Sequence, residues 1–399
     1  MQQAHAALVR LVRDEGRRVL ATLVRLTGDL QLAEDAVQDA TLRALEVWPR
    51  DGVPAEPRAW LTLTARRRAI DLLRREAVRP GKELQVVAYE PETPETIRDD
   101  QLRLLFTCCH PALAHETQVA LALRTLCGLD VPEVAALLLV GEETMAKRLT
   151  RARQKITKAR IPYRVPADHE LPDRLRGVLT TVYLLFTEGA DPIGETRPAL
   201  VEEALRLTRL LRELMPGEPP VLGLLALELL TDARRAARRD PGGRPVLLAD
   251  QDRSLWRRDL VEEGVLLVGE GLRRSPDTPD PYVVQAAIAA CHALAPTWAD
   301  TDWAAIVSWY DVLLTVAGTP VVALNRAAAV AERDGPEAGL AAVDAVAGLE
   351  RYPLWHASRA ELLGRLGDRA GADQAWAAAL ALPQDPAQAA QLRRRQDAT

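Results

Sequence analysis

Residues 131–156 read VPEVAALLLVGEETMAKRLTRARQKI and carry the most specific pattern in the chain. They predict a short helix over Glu133–Leu139, a tight turn at Val140 and Gly141, and a second helix from about Glu142. This spacing is typical of a helix-turn-helix, whose second helix enters the major groove of DNA. That helix would carry four cations towards the phosphates: Lys147, Arg148, Arg151 and Arg153. An ordinary helical hairpin is the alternative interpretation.

An arginine-rich helix is predicted upstream, where residues 57–75 read PRAWLTLTARRRAIDLLRR. Its first residue, Pro57, ends a loop over residues 48–57 that holds three prolines and one glycine. Five arginines then lie between residues 66 and 75, on the same helix as Trp60, which suits phosphate contact and stacking on unpaired bases. We expect the core side of the helix to consist of Leu63, Ile70 and Leu73. A plain solvated surface is the alternative.

A third helix is predicted over residues 32–46, which read LAEDAVQDATLRALE. Asp35, Asp39 and Arg43 follow one another at intervals of four residues, so they share one polar face. Small and aliphatic residues would supply the buried side: Ala33, Ala36, Val37, Ala40 and Leu45. Spacing alone leaves open whether the polar face is a contact surface or is simply solvated.

The composition favours an all-α fold. Of the 399 residues, 48% are hydrophobic but only 4% are aromatic, and strong helix formers dominate. Residues 1–160 carry 25 Lys and Arg against 22 Asp and Glu, whereas residues 161–399 carry 26 against 34. The charge balance therefore predicts that only the front part meets a polyanion.

Proline and glycine breaks divide the chain into segments. We expect domains and linkers in this order: a first domain over 1–77, an acidic linker over 78–100, a second domain over 101–160, a further linker over 161–174, and a helical extension over 175–399. Near the end, Thr319–Tyr352 and Pro353–Pro386 are both 34 residues long, and each predicts a helix-turn-helix. Small and aromatic residues within them stand at the spacing of a tetratricopeptide repeat: Ala338, Ala372, Trp376 and Ala379. The extension is therefore predicted to be a helical solenoid.

Taken in this order, the three N-terminal segments resemble extracytoplasmic-function (ECF) sigma factors. The resemblance covers residues 1–160 and implies a region-2 domain, a flexible linker and a region-4 domain. It implies that residues 33–39 dock on the clamp of the largest polymerase subunit, with Asp35, Gln38 and Asp39 as the contacts. Core RNA polymerase, including the flap of its second-largest subunit, and promoter DNA are the implied partners.

The same resemblance assigns two promoter elements to two sets of residues. The −10 element would be melted and read by region 2.3–2.4, with Trp60, Thr64, Arg66, Arg67, Arg74 and Arg75. The −35 element would be read by region 4.2, with Glu143, Thr144, Lys147, Arg148, Arg151 and Arg153. Arg67 stands where the family usually has Asn, and Glu143 where many members have Gly. The promoter sequence therefore does not carry over from other members.

The remaining residues resemble the subgroup of these proteins that has a tetratricopeptide-like C-terminal extension. The resemblance rests on short segments: Phe106–Leu113, Phe186–Gly189, Leu222–Leu227, Asp250–Arg253, Gln285–Ala290, Thr301–Trp303 and Val322–Arg326. It implies that the extension modulates sigma activity. The acidity of the extension adds the hypothesis of an intramolecular contact with the two more basic sigma domains.

Metal, cofactor and catalytic sites are not expected. Neither a P-loop, nor a glycine-rich dinucleotide turn, nor a metalloprotease helix occurs, so we predict no enzyme and no cofactor. Cys108, Cys109, His110 and His115 make poor zinc geometry, because adjacent cysteines on a helix point about 100° apart. We expect thiols buried as small core residues instead, and no metal. Three tryptophans are either a ligand-binding face or helix packing: Trp298, Trp303 and Trp309.

The N-terminus has no signal-peptide core, and no run of eighteen apolar residues occurs. We therefore expect a soluble, cytoplasmic protein without membrane contact. A stand-alone helix-turn-helix regulator or scaffold, with repeats that bind a protein partner, is the alternative function. Such a protein does not need the face of Asp35 and Asp39 or the arginines of residues 66–75.

Overall fold

The computed structural model describes residues 2–77, 100–126, 128–138, 140–159, 161, 166–190 and 197–397. Within these ranges all regular structure is helical, apart from one isolated β-bridge between Arg239 and Pro245. The prediction of an all-α fold is confirmed. Apart from residue 100, the predicted acidic linker lies outside the described residues. None of the helices in the described ranges is long and apolar enough to cross a membrane.

The described residues form eighteen α-helices. In chain order these are α1 (Gln2–Thr27), α2 (Leu30–Asp51), α3 (Pro57–Ala77), α4 (Asp100–Cys108), α5 (His115–Leu126), α6 (Val131–Leu137), α7 (Glu142–Lys158), α8 (Leu171–Gly189), α9 (Pro198–Leu214), α10 (Pro219–Asp232), α11 (Arg258–Arg274), α12 (Pro281–Leu294), α13 (Trp303–Ala317), α14 (Pro320–Asp334), α15 (Pro336–Asp344), α16 (Pro353–Arg365), α17 (Arg369–Ala381) and α18 (Pro386–Asp397).

The chain divides into two compact units, Met1–Leu185 and Phe186–Thr399, called here the first and the second unit. In the first unit, α1, α2 and α3 pack on one another, and α4 to α7 form a further group, with α1 in contact with α4. Leu8, Ala44 and Trp48 form a buried cluster between the first helices. The helix-turn-helix over α6 and α7 agrees with the predicted positions of its two helices and of the turn between them.

Three sequence predictions about the first unit are wrong in detail. Helix α2 continues through Pro49 to Asp51, because Trp48 is buried and Gly52, at a φ of 88°, donates its N–H to the Trp48 carbonyl. Leu45 of α2 and Leu63 and Ile70 of α3 are exposed rather than in the core. Smaller residues line the core side of α3 together with one leucine: Leu61, Ala65 and Ala69.

The first part of the second unit is a tightly packed helical group. Helix α10 contacts α9, α11 and α12, and its buried leucines and alanines form the largest part of one core cluster. Gly223 of α10 lies against the backbone of α12, where an added Cβ would overlap the main-chain nitrogen of Val283. Only glycine allows the two helices to approach this closely.

From α12 to α18 each helix packs on the next one along the chain. Ion pairs between helices recur in this part at a nearly constant spacing. Arg326 Nε lies 2.6 Å from Asp311 Oδ1, and Arg359 Nε lies 2.5 Å from Asp344 Oδ1, so the second pair repeats the first 33 residues later. This part of the chain therefore combines sequential helix packing with one ion pair that recurs after 33 residues.

Candidate nucleic-acid interface

The polar face of α2 is exposed at both of its predicted leading residues. Asp35 and Gln38 are exposed, and the Asp35 carboxylate accepts a hydrogen bond from Gln31 Nε2 at 2.9 Å. Two leucines continue this face towards the end of the helix, because Leu42 is 52% exposed and Leu45 is 41% exposed. Sequence reasoning did not single out Leu42. The face therefore has an acidic, hydrogen-bonding end and an aliphatic end.

Asp39 has a different environment from Asp35. It is half-buried and accepts a hydrogen bond from Arg68 Nε of α3, so the pair joins the two helices. Arg68 was not among the predicted site residues. Its position seven residues after the buried Leu61 is the signal that separates it from its exposed neighbours Arg66 and Arg67.

The outer face of α3 mixes arginines with aliphatic side chains. Arg66, Arg67 and Arg74 are exposed and form no ion pair with any described residue. Leu63 and Ile70 lie among them, 48% and 38% exposed. The side chain of Arg75 lies outside the described part of the chain. This face therefore presents unpaired cations together with exposed apolar surface.

Trp60 and Thr64 are less accessible than these arginines. Both are half-buried, and the Trp60 ring packs edge-on against Trp48, with ring centroids 5.5 Å apart. Trp60 also contacts the cluster of Leu8 and Ala44. One side of the indole is therefore used in holding α3 against α1 and α2.

The helix-turn-helix is built by local capping and a narrow core. Asp130 and Glu133 form a capping box at the start of α6, with hydrogen bonds of 2.8 Å and 2.7 Å to each other's backbone N–H. The inner side of α7 is formed by four buried residues at helical spacing: Met145, Leu149, Ala152 and Ile156. The opposite side of α7 is thereby left for solvent or a partner.

Four of the six predicted −35 residues lie on this open side of α7. Glu143, Thr144, Lys147 and Arg151 are exposed. Lys147 Nζ lies 2.5 Å from Glu143 Oε1, so Glu143 offsets part of the charge of the lysine. Arg151 forms no ion pair with a described residue. Of the predicted cations, Arg151 is therefore the one that is both exposed and uncompensated.

The other two, Arg148 and Arg153, are engaged inside the unit. Arg148 Nη1 lies 3.1 Å from Glu116 Oε2 of α5. Arg153 Nε lies 2.9 Å from Glu34 Oε2 of α2, its Nη2 donates to Glu34 Oε1 at 3.1 Å, and each side chain is only 21% exposed. The pair of Arg153 and Glu34 joins the helix-turn-helix to the N-terminal helices, and sequence reasoning missed both acidic partners.

The adjacent cysteines are buried beside this contact. Burial, with added repulsion from Cys109 and Glu34, raises the pKa of the Cys108 thiol, and burial raises the pKa of Cys109 to about 12. Both thiols are therefore protonated and packed as small core groups. Among the described residues, no group of three or more His, Cys, Asp or Glu side chains is placed to hold a metal ion.

Helix α8 is joined to α4 by a buried arginine. Arg174 is only 2% exposed, and its Nη1 donates to the Phe106 carbonyl at 3.2 Å. Glu170 lies 3.7 Å from the same guanidinium group. The segment predicted as a linker over 161–174 thus includes the beginning of a packed helix.

Three family models match parts of the chain. Sigma-70 region 2 matches residues 11–79, and Sigma-70 region 4 matches residues 103–156. A family of unknown function, DUF6596, matches residues 174–271. No solved structure matches the chain.

Curated relatives fall into two kinds. An uncharacterized protein of Rhizobium meliloti (strain 1021) is 41% identical over 394 residues, which are 95% of this chain and 93% of that protein. The ECF RNA polymerase sigma factor SigL of Mycobacterium tuberculosis (strain H37Rv) is 35% identical over 150 residues, 37% of this chain and 85% of SigL. The probable ECF RNA polymerase sigma factor SigI of that strain is 28% identical over 161 residues, 38% of this chain and 54% of SigI.

The match to SigL spans most of SigL itself, and both sigma regions match in the order in which α1 to α7 occur. The chain belongs to the ECF RNA polymerase sigma factors.

Proposed function

We propose that the chain is an alternative sigma factor that binds core RNA polymerase and directs it to promoters whose −10 and −35 elements are read by α3 and α7. The observation that carries the proposal is the exposure of three separate faces on three helices of the first unit: Asp35 and Gln38 on α2, Arg66, Arg67 and Arg74 on α3, and Thr144, Lys147 and Arg151 on α7. No catalytic activity is part of the proposal.

The α2 face is the proposed contact for the clamp of the largest polymerase subunit. Asp35 and Gln38 supply hydrogen-bonding groups, and Asp39 contributes while it remains paired with Arg68. The exposed Leu42 and Leu45 extend the contact, because an apolar centre with a polar rim is usual in protein interfaces. Region 4 is proposed to contact the flap of the second-largest subunit.

The α3 face is the proposed site for the melted −10 strand. Arg66, Arg67, Arg74 and Arg75 would bind phosphates, because guanidinium groups match phosphate geometry. Unpaired bases would lie against apolar and aromatic surface. The residues proposed for that role are Trp60 and Thr64, joined by Leu63 and Ile70 because the latter two are exposed.

The α7 face is the proposed reader of the −35 duplex. Thr144, Lys147 and Arg151 would face the groove and its phosphates, with Glu143 limiting the charge of Lys147. Arg148 and Arg153 are proposed to join them only after their ion pairs with Glu116 and Glu34 separate. The pair of Arg153 and Glu34 would therefore delay full engagement of DNA.

Residues 175–399 are proposed to be a tetratricopeptide-like extension that modulates sigma activity in the cytoplasm. The repeated ion pairs of Asp311 with Arg326 and of Asp344 with Arg359 support the repeat. The excess of acidic residues over 161–399 supports an intramolecular contact with the more basic sigma domains. The proposed domain limits are 1–77, 78–100, 101–160, 161–174 and 175–399, with the packed helix α8 already beginning at Leu171.

Transcription in vitro with core polymerase tests the proposed function. Promoter-specific transcripts are expected with the full chain and should be lost with the Asp35→Ala/Gln38→Ala variant, because the clamp contact is removed. Glu56→Ala is the matched control, since it removes an exposed carboxylate from the turn before α3. Tight, sequence-specific duplex binding without polymerase, unchanged in the double variant, would support a stand-alone regulator and contradict the proposal.

A further inference from the structure

The segment between α10 and α11 brings two arginines onto one buried tryptophan. Arg234 lies just after α10, and Arg253 begins a short 3₁₀ turn that ends at Leu255. Their guanidinium carbons lie 5.8 Å and 4.8 Å from the centroid of the Trp256 ring. Trp256 is only 6% exposed, so it holds both cations at a fixed position in the second unit.

Helix α12 and the turn after it add an aromatic layer to this arrangement. Arg253 Nη1 donates to the carbonyl oxygens of His292 at 2.6 Å and Ala295 at 2.5 Å. The His292 ring stacks on Trp298 and meets Trp303 edge-on, at centroid distances of 6.1 Å and 5.3 Å. Burial and the two arginines lower the pKa of His292 to about 4, so this ring adds no positive charge at neutral pH.

Neither Arg234 nor Arg253 has a carboxylate partner among the described residues. Four carboxylates close to them in the chain have other partners: Asp232 with Arg235, Asp240 with Arg244, Asp259 with Arg257, and Asp252 with Ser254. Asp300 acts on Arg253 only through space, and its carboxylate accepts a hydrogen bond from Thr297. Burial, together with Arg238 and Arg253, lowers the pKa of Arg234 to about 10, as expected for a cation without a counter-charge.

Three further polar atoms at this position lack a hydrogen-bond partner within the described part of the chain. They are Arg253 Nη2, Trp256 Nε1 and His292 Nδ1, all of them buried. The first two can only donate, and burying a donor without an acceptor costs free energy. Two cations without a carboxylate partner and two buried donors without an acceptor, Arg253 Nη2 and Trp256 Nε1, thus lie around one tryptophan in the described part of the chain.

We propose that Arg234, Arg253 and Trp256 form a binding site for a small oxyanion, either a phosphate or a carboxylate group. Guanidinium forks bind both groups in bidentate fashion, which monatomic anions do not allow. A small ligand fits better than a nucleic acid, because residues 161–399 carry 34 acidic against 26 basic side chains and would repel a polyanion. The proposal is independent of the proposed contacts with polymerase and promoter.

Calorimetric titration of the full chain tests the site, with sodium phosphate in one arm and sodium acetate in the other, at ionic strength held constant with sodium chloride. Saturable binding of at least one oxyanion is expected, and the stronger arm identifies the group. Arg234→Gln should weaken binding about tenfold or more, because a charged hydrogen bond is lost. Arg234→Lys should retain part of the affinity, since it keeps the charge without the fork.

Arg258→Gln is the matched control, because Arg258 is exposed nearby but is not among the residues whose charge acts on Arg234. The Arg258→Gln variant should bind phosphate and acetate with the same affinity as the unaltered chain. The Arg234 side chain makes no hydrogen bond with a described residue, so its replacement should leave the fold intact, as circular dichroism will show. The absence of saturable binding in both arms, or equal binding by Arg234→Gln and the unaltered chain, would overturn the proposal.

Discussion

Arginine serves different purposes in the two units. On α3 of the first unit, Arg66, Arg67 and Arg74 are exposed and have no carboxylate partner among the described residues. In the last helices of the second unit, arginines instead reach carboxylates of neighbouring helices. Cross-helix pairs of this kind are Arg326 with Asp311, Arg359 with Asp344, Arg365 with Glu332, and Arg395 with Glu361.

The proposed sites make pairing, rather than the number of arginines, the mark of a surface that binds an anion. A paired guanidinium group has its charge compensated and its geometry committed, whereas an unpaired one retains both for a partner. Each unit has exceptions. Arg153 of the first unit is paired with Glu34, and Arg234 of the second has no carboxylate partner among the residues that the structure describes. Substitutions at both kinds of position can break or sharpen the comparison.

The largest effect is expected from the Arg66→Ala/Arg67→Ala/Arg74→Ala variant. Promoter-directed transcription should fall at least about tenfold. The slope of the logarithm of promoter affinity against the logarithm of salt concentration should become less steep by about one for each lost phosphate contact. Run-off transcription over a series of salt concentrations measures both. The matched control is Arg333→Ala/Arg359→Ala/Arg365→Ala, which removes the same charge from paired arginines of the second unit. An equal loss of transcription in the control would mean that the total positive charge, rather than the α3 face, determines promoter-directed transcription.

Arg151 and Arg148 compare an unpaired with a paired arginine on one helix. Arg151→Ala should weaken promoter binding by the polymerase complex about five- to tenfold without a change in thermal stability. Arg148→Ala should instead lower the free energy of unfolding by up to about 1 kcal/mol, because the pair with Glu116 is lost. Electrophoretic mobility shift and thermal melting separate the two. If Arg148→Ala weakens DNA binding more than Arg151→Ala does, the expectation that the unpaired arginine is the DNA contact is wrong.

The carboxyl group of Glu228 on α10 lies near an arginine that is already paired with another glutamate. Arg209 forms two hydrogen bonds with Glu263, at 2.7 Å and 2.8 Å, and Glu228 is fully buried. Burial raises the pKa of Glu228 well above its usual value, against the opposing effects of Thr208 and Arg209.

A raised folded-state pKa means that stability present at acidic pH is lost as the pH rises through that pKa. Glu228→Gln should therefore increase the free energy of unfolding at pH 8 by about 1–3 kcal/mol and change it little near pH 4. Urea unfolding at the two pH values measures this. Glu213→Gln, at an exposed position in the same unit, is the control and should change neither value. A loss of stability at pH 8 would show that the Glu228 carboxylate is needed.

Helix positions and turns were predictable because they depend on local residues. Each of these signals lies within a few residues of the helix end that it determines. Examples are the break at Val140 and Gly141, the capping pair of Asp130 and Glu133, and the start of α3 at Pro57. A periodic pattern does not distinguish a buried face of a helix from an exposed one when both contain aliphatic residues. The pattern therefore predicts a core position for Leu63 and Ile70, although both are exposed.

Ion pairs between distant residues could not be predicted. Glu34 and Arg153 are 119 positions apart, and nothing near either residue identifies the other. Arg148 and Arg153 look equivalent to Arg151 in the sequence, and only the packing of α7 on its neighbours distinguishes them. The positions proposed for polymerase and promoter contact remain predictions.

Glu34→Gln tests the exception in the first unit. The substitution keeps the size of the side chain but removes the charge that holds Arg153, so the free energy of unfolding should fall by about 1 kcal/mol. Binding of the −35 duplex by the polymerase complex should strengthen slightly, because Arg153 is released. Glu46→Gln is the control: it breaks an exposed pair with Arg43 and should change neither the free energy of unfolding nor DNA binding. Weaker DNA binding by Glu34→Gln would contradict this expectation.

The smallest effects are expected at the repeated pairs of the second unit. Arg326→Met and Arg359→Met each keep the aliphatic stem and remove a half-exposed ion pair, so each should cost about 0.5 kcal/mol or less. Thermal melting at low and high salt should give nearly equal differences for the two variants, both reduced at high salt. Strongly unequal values would argue against equivalent positions in a repeat.

The packing of each helix from α12 to α18 on its neighbour in the chain has a thermodynamic consequence. Stability in such an array is the sum of terms between adjacent elements, so it need not be lost in a single cooperative step. Helix α18 packs on α17 and is joined to α16 by the pair of Arg395 and Glu361, and Leu392 is its buried residue, so its removal would expose only the part of the core cluster around Leu392. We therefore expect amide hydrogen exchange to be fastest at α18 and to slow progressively towards α12, so that the C-terminal end of the extension opens locally while the rest stays folded.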